Sequence, residues 1–194
     1  MIELCKLCLR YDEKTVLDHF SLSIPDSGIT VLSGPSGCGK TSLLRIIAGL
    51  TRPDSGSVEG IDPRKVSILF QEDRLFPHRT VAQQLTDVLG RERKEALAHW
   101  LALAELTDEA HALPGQLSGG MCRRLALARA LALGGELYVL DEPFTGIDPA
   151  RRERLMRALR QLGKPVLLVS HEVEIAAMAD HVIRLDGPPL TVIP

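Results

Sequence analysis

No run of about 18 consecutive apolar residues, the length a helix needs to cross a bilayer, occurs in this 194-residue chain. Its first residues, "MIELCKLCLR", lack a basic segment leading into an apolar one, so they do not read as a secretory signal. Positive charge is not in excess. Lys and Arg number 23 against 25 Asp and Glu, a net charge of −2, which leaves neither a nucleic-acid stripe nor a polybasic membrane patch. Cysteine is scarce: Cys5, Cys8, Cys38 and Cys122. Cys5 and Cys8 have the spacing of half a zinc site, but no second Cys/His pair completes it. They lie in an apolar, strand-like run and read as thiols of a reducing compartment. Internal repeats and low-complexity segments are also missing. These absences lead to the expectation of one cytoplasmic globular domain with no nucleic-acid partner. The one basic cluster, "RRERLMRALR" at 151–160, is interleaved with Leu155 and Leu159 and followed by Leu162, and is expected to be the solvated side of an amphipathic helix.

What is present is an alternation of short apolar runs and helical patterns. "TVLDHFSLSI", "GITVLSG", "KVSILFQ", "ELYVLDEP", "KPVLLVSH" and "DHVIRL" read as strands, most of them buried. Helices are expected over 40–49, 80–89, 92–105, 119–133, 149–162 and 172–178. Strand–helix alternation late in the chain argues for an α/β fold with a mainly parallel core sheet. Residues 2–32 hold strands with no helix between them and are expected to form an antiparallel β subdomain. The stretch 72–133 reads as almost purely helical, an arm inserted between two halves of a core formed by 1–71 and 134–194. "GPPL" at 187–190 reads as a turn.

Two stretches are built to hold anions. "GPSGCGKT" follows a strand and opens a helix, with Gly34, Gly39, Lys40 and Thr41 at the spacing of a phosphate loop. Glycines let successive amides curl round phosphate oxygens, and the helix start adds its partial positive charge. Gly34, Pro35, Ser36, Gly37, Cys38, Gly39, Lys40, Thr41 and Ser42 are therefore the candidate nucleotide-binding loop. Lys40 is expected on the β- and γ-phosphates and the Thr41 hydroxyl on Mg²⁺. Cys38 reads as a small tolerated side chain, with a redox role open because a helix start can lower a thiol pKa. "LYVLDEP" ends an apolar strand in Asp141, a second Mg²⁺ ligand. Glu142 follows, pointing elsewhere, a candidate to orient or deprotonate a water. The second anion-seeking stretch is "LSGGMCRR": Ser118, Gly119 and Gly120 stand before a long Ala/Leu/Arg helix. Two glycines cost helix stability that a cap alone does not require.

"GPSGCGKT", "LSGGM" and "LYVLDEP", in this order and spacing, resemble the ATP-binding subunits of ABC transporters over essentially the whole chain. That resemblance implies a P-loop NTPase fold, ATP and Mg²⁺ as cofactors, and a head-to-tail homodimer. ATP on one P-loop would be covered by Ser118, Gly119 and Gly120 of the other copy. It also implies that Gln71 touches Mg²⁺ or the attacking water, that His171 contacts the γ-phosphate, that Asp148 passes between the two sites, and that Tyr11 stacks on adenine. Read alone, Tyr11 is nearly as well explained as a cover for the β subdomain. The sequence departs from the family's commonest form at Met121, where Gln is usual, and in the order Thr41–Ser42. The segment "GSVEGIDPRKVSILFQ" is shorter than usual, so a trimmed β subdomain is expected. "EPFTGID" and "QEDRLFPHRTV" resemble import ATPases of small solutes such as sulfonates, nitrate or thiamine precursors. Import implies a transmembrane permease subunit, received near Phe76, a periplasmic solute-binding protein, and a location on the inner face of the cell membrane. The alternative is an ATPase of an exporter or of a lipid- or lipoprotein-release system. A small-molecule kinase would need an acceptor pocket and a lid and would not need "LSGG".

Overall fold

The structure, a computed structural model, describes residues 1–90 and 93–194. Two sheets organise it. β1 (Ile2–Tyr11) pairs antiparallel with β2 (Lys14–Ile24) and with β4 (Ser55–Glu59) in the order β2-β1-β4. The larger sheet contains β3 (Ile29–Ser33), β5 (Val66–Leu69), β6 (Leu137–Asp141), β7 (Val166–Val169), β8 (His181–Asp186) and β9 (Thr191–Ile193), ordered β5-β6-β7-β3-β8-β9. Every pairing in it is parallel except β8 with β9. The expected mainly parallel core with an N-terminal antiparallel piece is what forms.

Period-two patterning explains the layers. In β6, Leu137 and Val139 face one core and Tyr138 and Leu140 the other; in β7, Leu167 and Val169 face the first and Val166 and Leu168 the second. A parallel sheet covered on both faces reads as an unbroken apolar run for this reason. The first core lies under the antiparallel sheet and α1 (Lys40–Ile47). The second lies under α5 (Pro149–Gln161) and one side of α4 (Gly119–Leu133). In β1 the buried positions run Ile2, Leu4, then Leu7, Leu9. The slip coincides with Lys6 in the left-handed region, φ 48°, and with register shifts against β2 and β4.

α4 is buried on two sides. Ala126, Leu127, Ala130 and Leu131 face the sheet. Leu125, Ala128 and Ala132 face α2 (Val81–Leu89) and α3 (Leu97–Ala104). Leu125, Leu127 and Leu131 are at most 2% exposed. Each contributes roughly 1.5–3 kcal/mol of burial, which outweighs the ~1 kcal/mol that a glycine costs in a helix. α4 thus tolerates Gly119 and Gly120 in its first turn. α6 (Val173–Ala177) completes the helices.

Several expectations need correction. The helix expected over 92–105 is α3 alone, entered by a 3₁₀ turn at Lys94–Ala96 and closed by Glu105 in the left-handed region, φ 53°; Glu92 lies outside the described residues. The stretch 72–133 is less helical than expected, since residues 72–80 and 105–118 are loop and turns around one 3₁₀ turn. β4, mostly exposed, and β9, an exposed edge, carry no alternation and went unread. The arginines of α5 are not simply solvated: Arg151 and Arg154 pair with Glu105, and Arg152 pairs with Glu172. The turn at 187–190 is present. No helix among the described residues is long and apolar enough to cross a membrane.

Candidate functional site

β3, β5, β6 and β7 all end at one edge of the parallel sheet, and each delivers a candidate residue there. The phosphate loop comes after β3, Gln71 after β5 and His171 after β7, while β6 itself ends in Asp141. The carboxyl edge of an open α/β sheet is where such folds bind ligands. A cleft of about 330 Å³ opens there. Tyr11, Ser36, Gly37, Gly39, Lys40, Thr41, Ser42, Gln71, Asp141 and Glu142 line it, together with Lys14, Val16 and Val169.

Close approach and backbone conformation explain the loop's glycines. A Cβ on Gly34 would lie 2.2 Å from the Leu185 carbonyl oxygen of β8, so only glycine lets the loop leave β3 beside its neighbour. Gly37 adopts φ 78°, and an added Cβ there would meet nothing within 4 Å. Gly39 precedes α1 with φ 123°. The Lys40 ammonium is buried and donates to the carbonyls of Gly34 (2.8 Å) and Pro35 (2.7 Å). Those loop carbonyls fix the ammonium of a residue that lines the cleft. Cys38 is fully buried, with its sulfur 3.6 Å from Lys40 Nζ, and Gly34, Pro35 and Cys38 do not line the cleft.

Thr41 donates its hydroxyl to Asp141 Oδ2 at 2.8 Å. Burial pushes the Asp141 carboxyl above the usual carboxylate range, while the Thr41 hydroxyl and the charges of Arg123 and Lys40 pull the other way. A buried carboxylate beside a hydroxyl, with the Gln71 amide on the same wall, is a hard all-oxygen donor set wanting positive charge. It fits Mg²⁺ better than any softer ion.

Glu142 was expected to point away from Asp141, yet both line the cleft. Its backbone is left-handed, φ 49°, and this conformation breaks the strand's alternation immediately after Asp141. Glu142 Oε1 lies 3.0 Å from His171 Nδ1. The hydrogen bond, and then the charge of Glu142, hold the His171 imidazole above its ordinary value. His171 does not line the cleft itself and reaches it through Glu142.

The second anion-seeking stretch lies outside this cleft. Ser118 caps α4, its hydroxyl accepting from the Met121 amide at 3.3 Å. The amides of Gly119 and Gly120 are among those helix geometry leaves without an intrahelical acceptor. Ser118 and Gly119 are exposed, and a Cβ on Gly119 would meet nothing within 4 Å. Asp148 is likewise away from the cleft, where it caps α5 through the Arg151 amide and pairs with the Arg151 side chain. Cys5, Cys8 and Cys122 are free, half-buried thiols.

Two arginines of α4 were missed. Arg123, 4% exposed, donates to the carbonyls of Phe70, Gln71, Asp141 and Glu142 and pairs with Asp73 at 2.9 Å. Arg129 donates to the carbonyls of Asp73 and Arg74 and to Gln84 Oε1. Nothing local marks these side chains, because their acceptors lie 18 to 56 residues away in sequence. The only signal was arginine inside a helix whose other residues are mostly Ala and Leu.

Fold and cleft together define a P-loop NTPase domain. Within that class the chain belongs to the ABC transporter family, whose profile matches residues 17–145. It is similar to the sulfate/thiosulfate import ATP-binding protein CysA of Vibrio vulnificus, at 39% identity over 95% of this chain and 61% of that protein. It is also similar to the aliphatic sulfonates import ATP-binding protein SsuB 2 of Streptomyces avermitilis, at 41% identity over 95% of this chain and 76% of that protein. The chain thus spans about three fifths of the first relative and three quarters of the second. The dimeric structure of a bacterial ABC transporter cassette superposes with TM-score 0.85 at 28% identity, covering 96% of this chain and 94% of that one. A dimeric post-hydrolysis state of an ATP-binding cassette bound to ADP and Pi gives TM-score 0.85 at 26% identity, covering 100% and 99%.

Proposed function

We propose that this chain is the ATP-hydrolysing subunit of an ABC importer, working as a head-to-tail pair in which each ATP site is shared. The observation that carries the reading is the separation of two anion-binding halves. One cleft gathers Lys40, Thr41, Gln71, Asp141 and Glu142, while the exposed helix start at Ser118 lies outside it. A second copy brings that helix start over the cleft, and twofold symmetry makes two such sites.

ATP enters with its phosphates on the amides of Ser36, Gly37, Gly39 and Ser42 and on the Lys40 ammonium, and with its base against Tyr11. Thr41, Asp141 and Gln71 would hold Mg²⁺, which neutralises charge on the β- and γ-phosphates when bound. Glu142 accepts the proton of the attacking water, and His171 fixes the carboxylate that does so. Water oxygen bonds to the γ-phosphorus as the bond to the β-bridging oxygen breaks, giving ADP and phosphate. The partner's Ser118 hydroxyl and Gly119 and Gly120 amides meet the γ-phosphate charge. Asp148 lies between the two sites. Cleavage removes the anion those groups hold, and the pair opens.

Import is supported by the names of the similar proteins, which are import ATP-binding proteins. A transmembrane permease would receive the motion, with Phe76, 55% exposed beside Pro77, His78 and Arg79, as its seat. Residues 72–133 would move with the permease as an arm. A periplasmic solute-binding protein and a place on the inner face of the membrane follow from import. Glu142→Gln should keep ATP binding, lower hydrolysis at least about 100-fold, and accumulate a dimer with ATP in sedimentation. A monomer under those conditions would end the reading.

A further inference from the structure

We propose that Arg123 is a positioning residue that couples the two half-sites carried by one chain. The inference rests on the shared-site reading above and adds a link between the half given to the partner and the half kept.

Arg123 stands five residues after Ser118 in the same helix, about 7.5 Å along its axis. Its guanidinium reaches two separate segments, 70–73 and 141–142. On one side are the carbonyls of Phe70 and Gln71, at 2.8 and 3.0 Å, and the Asp73 carboxylate. On the other are the carbonyls of Asp141 and of Glu142, the latter at 2.7 Å. Gln71 and Glu142 both present side chains to the cleft. One rigid fork therefore holds the main chain behind two cleft side chains, and it is anchored in the helix whose first turn would meet the partner's nucleotide.

The arrangement is poorly explained as a stability device. A buried guanidinium with one carboxylate partner rarely stabilises more than an apolar replacement. Arg123 Nε is also buried with no partner, so the group is not satisfied in full. What the fork supplies is distance. The Gln71 loop has no regular structure, and its carbonyls are met by α4 side chains: Arg123, and further on Arg129 at Asp73 and Arg74. A shift of α4 when an anion seats at Ser118 must then move Gln71 and Glu142 together. The two sites of a dimer become cooperative through one side chain in each copy.

The test uses the chain with Arg123→Lys and Asp73→Asn, alone and combined. It measures kcat, the ATP dissociation constant, and the Hill coefficient of ATPase activity against ATP. The parent should show a Hill coefficient approaching about 2, the number of sites. A parent with concentration-independent turnover and no cooperativity removes the shared-site reading itself, before any variant is compared. Given a cooperative parent, Arg123→Lys should lose about tenfold or more in kcat, since a lysine point charge cannot span the fork. Its ATP affinity should stay within about twofold and its Hill coefficient should fall toward 1. Asp73→Asn keeps the carbonyl contacts and should lose less, with the same fall in cooperativity. The double variant should be no worse than Arg123→Lys, because both act on one link. If Arg123→Lys does not fold, Asp73→Asn carries the test alone. Parental cooperativity in the folded variants, or a kcat loss matched by an equal loss of ATP affinity, overturns the proposal.

Discussion

At the scale of single residues, the pair of Glu142 and His171 carries a pH signature. Glu142 raises the His171 imidazole above 6.5, first by hydrogen bonding and then by its charge. The folded-state value is the higher one, so the pair's contribution to stability is complete below about 6.5 and is lost as pH rises through the raised value. His171 is largely exposed, so that contribution is small. The midpoint itself is measurable by NMR of the ring. In Glu142→Gln it should move down toward the ordinary value, and an unchanged midpoint would show that the two groups do not interact. The loop glycines separate in the same way. Gly34→Ala places Cβ 2.2 Å from a β8 carbonyl and must shift backbone, whereas Gly37→Ala meets open space and pays only for φ 78°. Urea unfolding should show about 2–3 kcal/mol or more lost at Gly34 and about 1–2 at Gly37. Lys40, Thr41, Asp141 and Glu142 were legible because their spacing encodes local geometry. The direction of Glu142 was not, because a left-handed residue after a strand leaves no mark in the pattern.

At the scale of elements, α4 matters most. Its bounds could be read from the sequence because Ser118 begins it and Gly134 follows it. Its two buried sides could not, since Ala and Leu all round give no preferred face. Ser118 caps α4, and the proposed function gives it a second, separable duty, meeting an anion. Ser118→Asp keeps a good cap and adds a favourable charge at the helix start, so thermal stability should hold or rise. The same carboxylate repels a phosphate, so ATP-driven dimerisation and hydrolysis should be lost while the single chain still binds ATP. Loss of ATP binding as well would place Ser118 in its own chain's site. α3, β4 and β9 were poorly legible for a common reason: short or exposed elements lack the two or three turns of periodicity that a pattern needs.

At the scale of the whole molecule, the separation of cleft and α4 start makes a mixing experiment decisive. Lys40→Ala disables the phosphate loop and Ser118→Asp the contribution to the partner. Each variant alone has two broken sites. A mixed dimer has one site with both defects and one with neither, so combining the inactive proteins should restore ATPase activity in proportion to the heterodimer formed. No recovery on mixing, with both proteins folded and paired, or full activity of Ser118→Asp alone, would rule against sites shared between the copies. The fold class and sheet were expected from strand–helix alternation. The order β5-β6-β7-β3-β8-β9 was not, since strands adjacent in the sheet are up to about 150 residues apart in the chain, as Thr30 and His181 are.

By itself the sequence determined the local chemistry of this protein: a glycine loop that must curl, a lysine and threonine at its end, an Asp–Glu pair closing an apolar strand, and a second capped helix start. Each depends on neighbours within a few residues, where backbone geometry follows directly from side-chain type. Only the tertiary structure decided which of these share a cleft, that Glu142 turns back to His171, and that Arg123 bridges two distant segments, 70–73 and 141–142. Those relations depend on strand order and on a helix buried between two cores. Carbonyls from distant segments attract a buried guanidinium with no regard to sequence separation.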